Sequence, residues 1–196
     1  MSHARPLRDL PLDQLDLNEA ARPTALAYPP LTAFQKQAGQ HLMAIHRMHL
    51  RELSKARMVL HHVTEGPTDP SALVEALRDL DLTQNFRLFG NLCGQECRML
   101  QFHHDAEEAH MFPALEATAP EPIRRIVAKL RAEHEVVHEL LDRLAEAAET
   151  LARDPSEAAF TEAHRLFDKF EAVVRSHFGY EETELKDALG VHVGHI

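Results

Sequence analysis

Residues 102–113 read FHHDAEEAHMFP, with three histidines and two adjacent glutamates in a stretch free of glycine and, until its last residue, of proline. The spacing predicts a helix, so the direction of each side chain follows from the turn angle of about 100° per residue. With His103 at zero, Leu92 falls at about −20°, Glu96 at about 20°, Phe89 at about 40°, Leu100 at about 60° and Cys93 at about 80°. The apolar stripe therefore centres near 40°, roughly, by that arithmetic. His103 and Glu107, one turn apart, lie inside it. His104, at about 100°, and Glu108, at about 140°, are expected on its flank, as surface groups or neighbours of the site. A histidine and a carboxylate face a helical interior.

Punctuation on either side sets the architecture. Five prolines within residues 1–33 break any helix there, which predicts an irregular N-terminal arm. From Phe34 to His62 the apolar residues recur at helical spacing, giving helix A. Thr64–Ser71 (TEGPTDPS) is a turn, after which Asp69 and Pro70 start a short extra helix. Helix B is expected from about Leu82 to Phe112 and helix C from Pro122 to Leu151. Asp154-Pro155-Ser156-Glu157 carries a cap, a first-turn proline and an acid, and opens helix D to Leu189. Long helices joined by short turns predict an all-α fold, an antiparallel up-and-down four-helix bundle over residues 34–190 with a tail at 191–196.

The inward polar residues repeat from helix to helix. Val127, Leu130, Val137 and Leu141 form the stripe of helix C, with His134 and His138 inside it. Phe170, Val174, Phe178 and Leu185 surround His177 and Glu181 on helix D. Helix A offers His46, and His49 as a second candidate. One inward histidine is usually a satisfied core residue. Two inward carboxylates without matching buried cations are costly, and a metal is the common partner that resolves all of them. Seven ligands exceed one tetrahedral zinc, and imidazole with carboxylate suits iron, so the expected cofactor is a pair of non-haem iron ions joined by an oxo or hydroxo bridge.

Bulk properties agree. The 196 residues suit one domain, and a net charge of −10 argues against nucleic-acid or anionic-membrane partners. No apolar run approaches the roughly 20 residues of a membrane span, and the N-terminus lacks a signal-peptide block, so the expected location is cytoplasmic. Cys93 and Cys97 read as two reduced, partly buried thiols.

On these residues the chain resembles the hemerythrin family in its broader HHE cation-binding form. The matching pieces are His46 in AIHRMHLREL, HHDAEEAHMFPAL (His103 to Leu115), the HEVVH pair His134/His138 and HFGYEETEL (His177 to Leu185). The resemblance implies His46, His103, Glu107, His134, His138, His177 and Glu181 as ligands, with Glu107 and Glu181 bridging the irons. Glu181, four residues after its histidine, differs from the aspartate of classical oxygen carriers and points to the bacterial branch. The implied function is binding of oxygen or a related small molecule (nitric oxide, peroxide) in sensing, storage or oxidant defence. The alternative is a ferritin-like di-iron oxidase or peroxide-detoxifying enzyme, built on Glu107/His110 and Glu135/His138.

Overall fold

The computed structural model describes residues 6–64 and 95–193, and every regular element among them is helical. Helix α1 spans Ala33–Thr64. Helix α2, Gln95–Ala106, passes through a π-turn, Glu107–Met111, into α3, Phe112–Thr118. Helices α4 (Glu121–Arg153) and α5 (Glu157–His192) complete the set. The expected short helix between α1 and α2 lies outside the described residues, as does Cys93. Cys97 is buried and disulfide-bonded, which corrects the expectation of a reduced thiol.

Contacts show how the helices run. Residues 35, 46 and 57 of α1 meet residues 190, 182 and 171 of α5, so the two are antiparallel. His46 and His49 of α1 meet His103 and Glu96 of α2 in the same reversed order. Helices α4 and α5 turn back on each other through residues 154–156. Asp154, expected to cap α5, instead closes α4 by donating its N–H to the Thr150 carbonyl at 2.8 Å. The N-cap is Ser156, in extended backbone, whose hydroxyl accepts from the Ala159 N–H at 3.3 Å.

The sequence spacing ends helix B at about Phe112, one residue before Pro113. In the structure the helix runs on to Thr118 because the hydrogen-bond register has already shifted through the π-turn, which places Pro113 at the start of a fresh α-helical turn.

Two apolar clusters fill the interior. One joins Leu53, Leu60, Leu100, Val137, Phe170, Val174 and Phe178 to Leu12, Leu15 and Leu17 of the arm. The other gathers Leu42, Phe112, Leu115, Val127, Leu130, Leu185 and Leu189. On each long helix the inward polar residues fall between these clusters in sequence: His46 between Leu42 and Leu53, His134 between Leu130 and Val137, His177 and Glu181 between Val174 and Leu185. The helices therefore carry a polar layer across the middle of an otherwise apolar core. The arm, Pro6 to Thr32, lies against this bundle in three short 3-10 turns, Leu7–Asp9, Leu12–Gln14 and Glu19–Ala21.

Three glycines in these helices have opposite expected effects. A Cβ on Gly190 would overlap the Gln35 carbonyl oxygen, and one on Gly39 would come 2.5 Å from the Lys186 carbonyl oxygen. Both obstacles are backbone and cannot rotate away. Gly190→Ala should therefore cost about 1–3 kcal/mol, by overpacking. Gly179 lies on the exposed face of α5 with nothing within 4 Å of such a Cβ. Gly179→Ala should instead add up to about 1 kcal/mol through helix propensity. Urea denaturation of the two variants checks the signs.

Candidate metal centre

The polar layer is built from adjacent turns of four helical segments. Helix α1 supplies His46; α2 and the π-turn supply His103, His104 and Glu107; α4 supplies His134; α5 supplies His177 and Glu181. Their ligand-type atoms fall into two trios, His46/His103/Glu107 and His104/His134/His177, each with its atoms within 4.8 Å of one another. Two carboxylates link the trios: Glu107, itself in the first, and Glu181, in neither. Glu107 Oε1 is 3.2 Å from His103 Nε2, and its Oε2 is 3.4 Å from His134 Nε2. Glu181 Oε2 lies 3.5 Å from His46 Nε2 and 3.9 Å from His177 Nε2. Each carboxylate thus reaches both halves of the layer.

The far side of three rings fixes what the near side offers. His46 Nδ1 donates to Glu182 Oε1 at 3.0 Å, His134 Nδ1 to Glu108 Oε1 at 2.9 Å and His177 Nδ1 to Glu133 Oε2 at 3.1 Å. With Nδ1 carrying the proton, Nε2 presents a lone pair to the interior. Glu107 and Glu181 add acceptor oxygens there, all four buried without a hydrogen-bond partner, as are His134 Nε2, His138 Nε2, His177 Nε2 and both ring nitrogens of His104. Acceptor atoms crowd together there, eased within the layer by a hydrogen bond between His46 Nε2 and His103 Nε2 at 3.0 Å. That is the electronic arrangement a cation satisfies, and a carboxylate behind each ligating imidazole is the usual support of a metal site.

Titration behaviour follows from the same burial. Desolvation first, then neighbouring imidazoles, pushes His46 down to about 2 and His103 down to about 3. His104, His134 and His177 are lowered as well, chiefly by burial. Every imidazole of the layer is therefore neutral at ordinary pH and free to ligate. Burial, then the charge of Glu181, raises Glu107 well above its ordinary value, and burial raises Glu181 to about 8. A cation entering the layer would displace protons from this carboxyl pair.

The structure brings together six of the seven residues expected from the sequence. His138, the seventh, is half-buried; its ring centroid is 5.6 Å from that of His104 and 6.2 Å from that of His134, outside both trios. His104 corrects the angular reading. Instead of lying on the flank, it is fully buried, stacked on His134 with centroids 4.2 Å apart. A helix in a bundle faces two neighbours at once: the His103 side of α2 meets α1, and the His104 side, one residue on, meets α4 and α5. The buried arc is wider than the stripe of apolar residues suggested. Glu108 does sit at the edge, bonded to His134 and paired with Arg131. His49 is buried beside the first trio, hydrogen-bonded to Glu96 and stacked at 5.2 Å on His103. Tyr180 turns away, its hydroxyl donating to the Pro23 carbonyl at 2.8 Å. His110 and Glu135 are exposed, so the paired Glu-x-x-His motifs of a ferritin-like site are not assembled.

A cleft of about 140 Å³ between α1 and the π-turn, lined by Ala38, Leu42, Ile45, Met111 and Leu189, ends on His103 and Glu107. Among the described residues no helix is long and apolar enough to cross a membrane.

Comparison with known proteins agrees with this geometry. No curated protein and no solved structure matches the chain. A family model described as the hemerythrin HHE cation binding domain matches residues 37–189, from the first turns of α1 to the last of α5 and including every residue of the polar layer. The chain belongs to the hemerythrin HHE cation-binding family.

Proposed function

We propose that this chain is a hemerythrin-like di-iron protein that binds oxygen or a related small molecule, nitric oxide or peroxide, for sensing, storage or oxidant defence. The observation that carries the reading is the pair of buried carboxylates, Glu107 and Glu181, each within reach of histidines in both trios. Two sites that share carboxylates suit two ions held close together. One ion takes His46, His103 and Glu107. The other would be held by His134, His177 and a third imidazole, with Glu107 and Glu181 within reach of both positions. Four imidazoles stand near that second position, His104, His134, His138 and His177. The distances favour His104 over His138 for that place. Imidazole and carboxylate ligands without thiolate suit iron, which supplies one-electron chemistry towards small oxygen or nitrogen ligands when bound.

The protein's own contribution is access and enclosure. A cleft of about 140 Å³ lies below the roughly 300–1,000 Å³ of drug-sized ligand pockets. Leu100, Leu130, Phe170 and Val174, all fully buried, keep bulk water from the layer. These features favour a small ligand over a drug-sized organic substrate. Mixing the reduced, iron-loaded protein separately with oxygen, nitric oxide and hydrogen peroxide tests the reading. A stable spectral change with oxygen or nitric oxide is expected; rapid peroxide turnover with no such adduct would favour the detoxifying enzyme instead.

A further inference from the structure

The last 3-10 turn of the arm ends at Ala21, and the next residue, Arg22, turns into the bundle. Its guanidinium forms a two-pronged contact with Glu133, Nε donating to Oε1 at 2.8 Å and Nη2 to Oε2 at 3.0 Å. Nη1 donates to Ser176 Oγ at 3.0 Å, and the guanidinium lies 4.6 Å over the Tyr180 ring. The same Glu133 Oε2 accepts from His177 Nδ1. An unbroken chain of hydrogen bonds therefore runs from the arm through Glu133 to a histidine of the polar layer. Lys129, 3.6 Å from Glu133 Oε1, is itself held by the arm through the Leu17 carbonyl.

We infer that the N-terminal arm is a working part of the metal centre: Arg22 is a positioning residue that holds Glu133 as the fixed acceptor of the His177 Nδ1 proton. It thereby sets how tightly His177 binds its ion and how readily that ion changes oxidation state. Burial decides why this pair matters more than its counterparts. Glu182 and Glu108, which serve His46 and His134, have side chains 25% and 29% exposed, so water can replace a lost partner. Glu133 is 1% exposed and has no such substitute. A two-pronged arginine contact also fixes the carboxylate plane, which a lysine cannot do. The matched family region begins at residue 37, so Arg22 lies outside the part of the chain that assigns the family.

The inference rests on the proposed metal site, and the test separates the two. Affinity for cobalt(II) alone, measured by competition with a chelator, and the midpoint potential of the iron-loaded protein are compared in four proteins: unaltered, Arg22→Gln, Arg22→Lys and Glu184→Ala. Arg22→Gln should weaken cobalt(II) binding about tenfold, the usual scale for a lost partner of a metal-ligating histidine. It should also lower the midpoint potential, because a fixed positive charge near the ion is gone. Arg22→Lys should restore the potential more than the affinity, since it returns the charge without the fork, and it carries the comparison if the glutamine variant does not fold. Glu184→Ala removes the acceptor of the Ala25 N–H and loosens the same arm without touching Glu133, so affinity should not fall. The lost negative charge should move the potential only upward, opposite to Arg22→Gln. Unaltered affinity and potential in Arg22→Gln, or equal changes in Glu184→Ala, would overturn the inference while leaving the metal site standing. Failure of the unaltered protein to bind cobalt(II) or iron would overturn both.

Discussion

Glu181→Leu is expected to abolish binding of the ion pair and, in the same protein, to make the metal-free form more stable. Glu181 is fully buried, neither carboxylate oxygen has a hydrogen-bond partner, and the carboxyl of Glu107 is close enough to raise its own protonation in response. In the absence of metal this residue contributes mainly desolvation cost, offset in part by the hydrogen bond it shares with Glu107 once one of the two carboxyls is protonated. Replacing an unsatisfied buried polar group with an apolar side chain of similar size should recover about 1–3 kcal/mol. With metal the sign reverses, because Glu181 lies between His46 and His177 and its loss removes a shared ligand from both halves. Melting temperatures with and without metal, read beside metal content, check both parts. A variant that keeps two ions, or whose metal-free form is less stable than the unaltered one, contradicts the bridging role.

The second large effect concerns the adjacent histidines of α2. His103→Ala and His104→Ala should each remove one ion of the pair, because the two rings belong to different trios. His138→Ala should weaken binding without emptying the position, since its ring stands outside both trios. In His104→Ala, His134 and His177 keep their carboxylate partners but lose the third imidazole of their group, and the stacked ring beside His134 leaves a cavity. Leaving inward lone pairs unmatched and a void in the core should also cost about 2–5 kcal/mol of stability. Metal content per chain across the three variants decides the order. If His104→Ala retains both ions and His138→Ala loses one, His138 is the third imidazole and His104 only packs against it.

Much of the fold was legible because helix signals are local. Prolines and caps marked where α1, α4 and α5 begin and end to within a few residues, and apolar spacing placed His46, His134, His177 and Glu181 inward. The misses share a physical origin. His104 was placed on the flank because the stripe was drawn from apolar residues alone, while a bundle helix buries an arc broad enough to present neighbouring residues to different partners. The π-turn at Glu107–Met111 left no signal that a proline rule could weigh, since it depends on hydrogen bonds that shift only in the folded chain. Glu108 was expected as a surface group or neighbour of the site, but the supporting acids Glu133 and Glu182 were invisible for a related reason. Each stands beside an inward residue in sequence and reads as ordinary helix surface until a histidine from another helix turns its Nδ1 towards it. Arg22, far away on an irregular arm, offered no periodicity to read.

Two ions per chain is the central claim, and metal content measures it most directly. Protein expressed with ample iron and purified in air should carry close to two irons per chain and absorb in the near ultraviolet through charge transfer from a bridging oxygen. A value near one, or zinc as the bound metal under the same conditions, would contradict it.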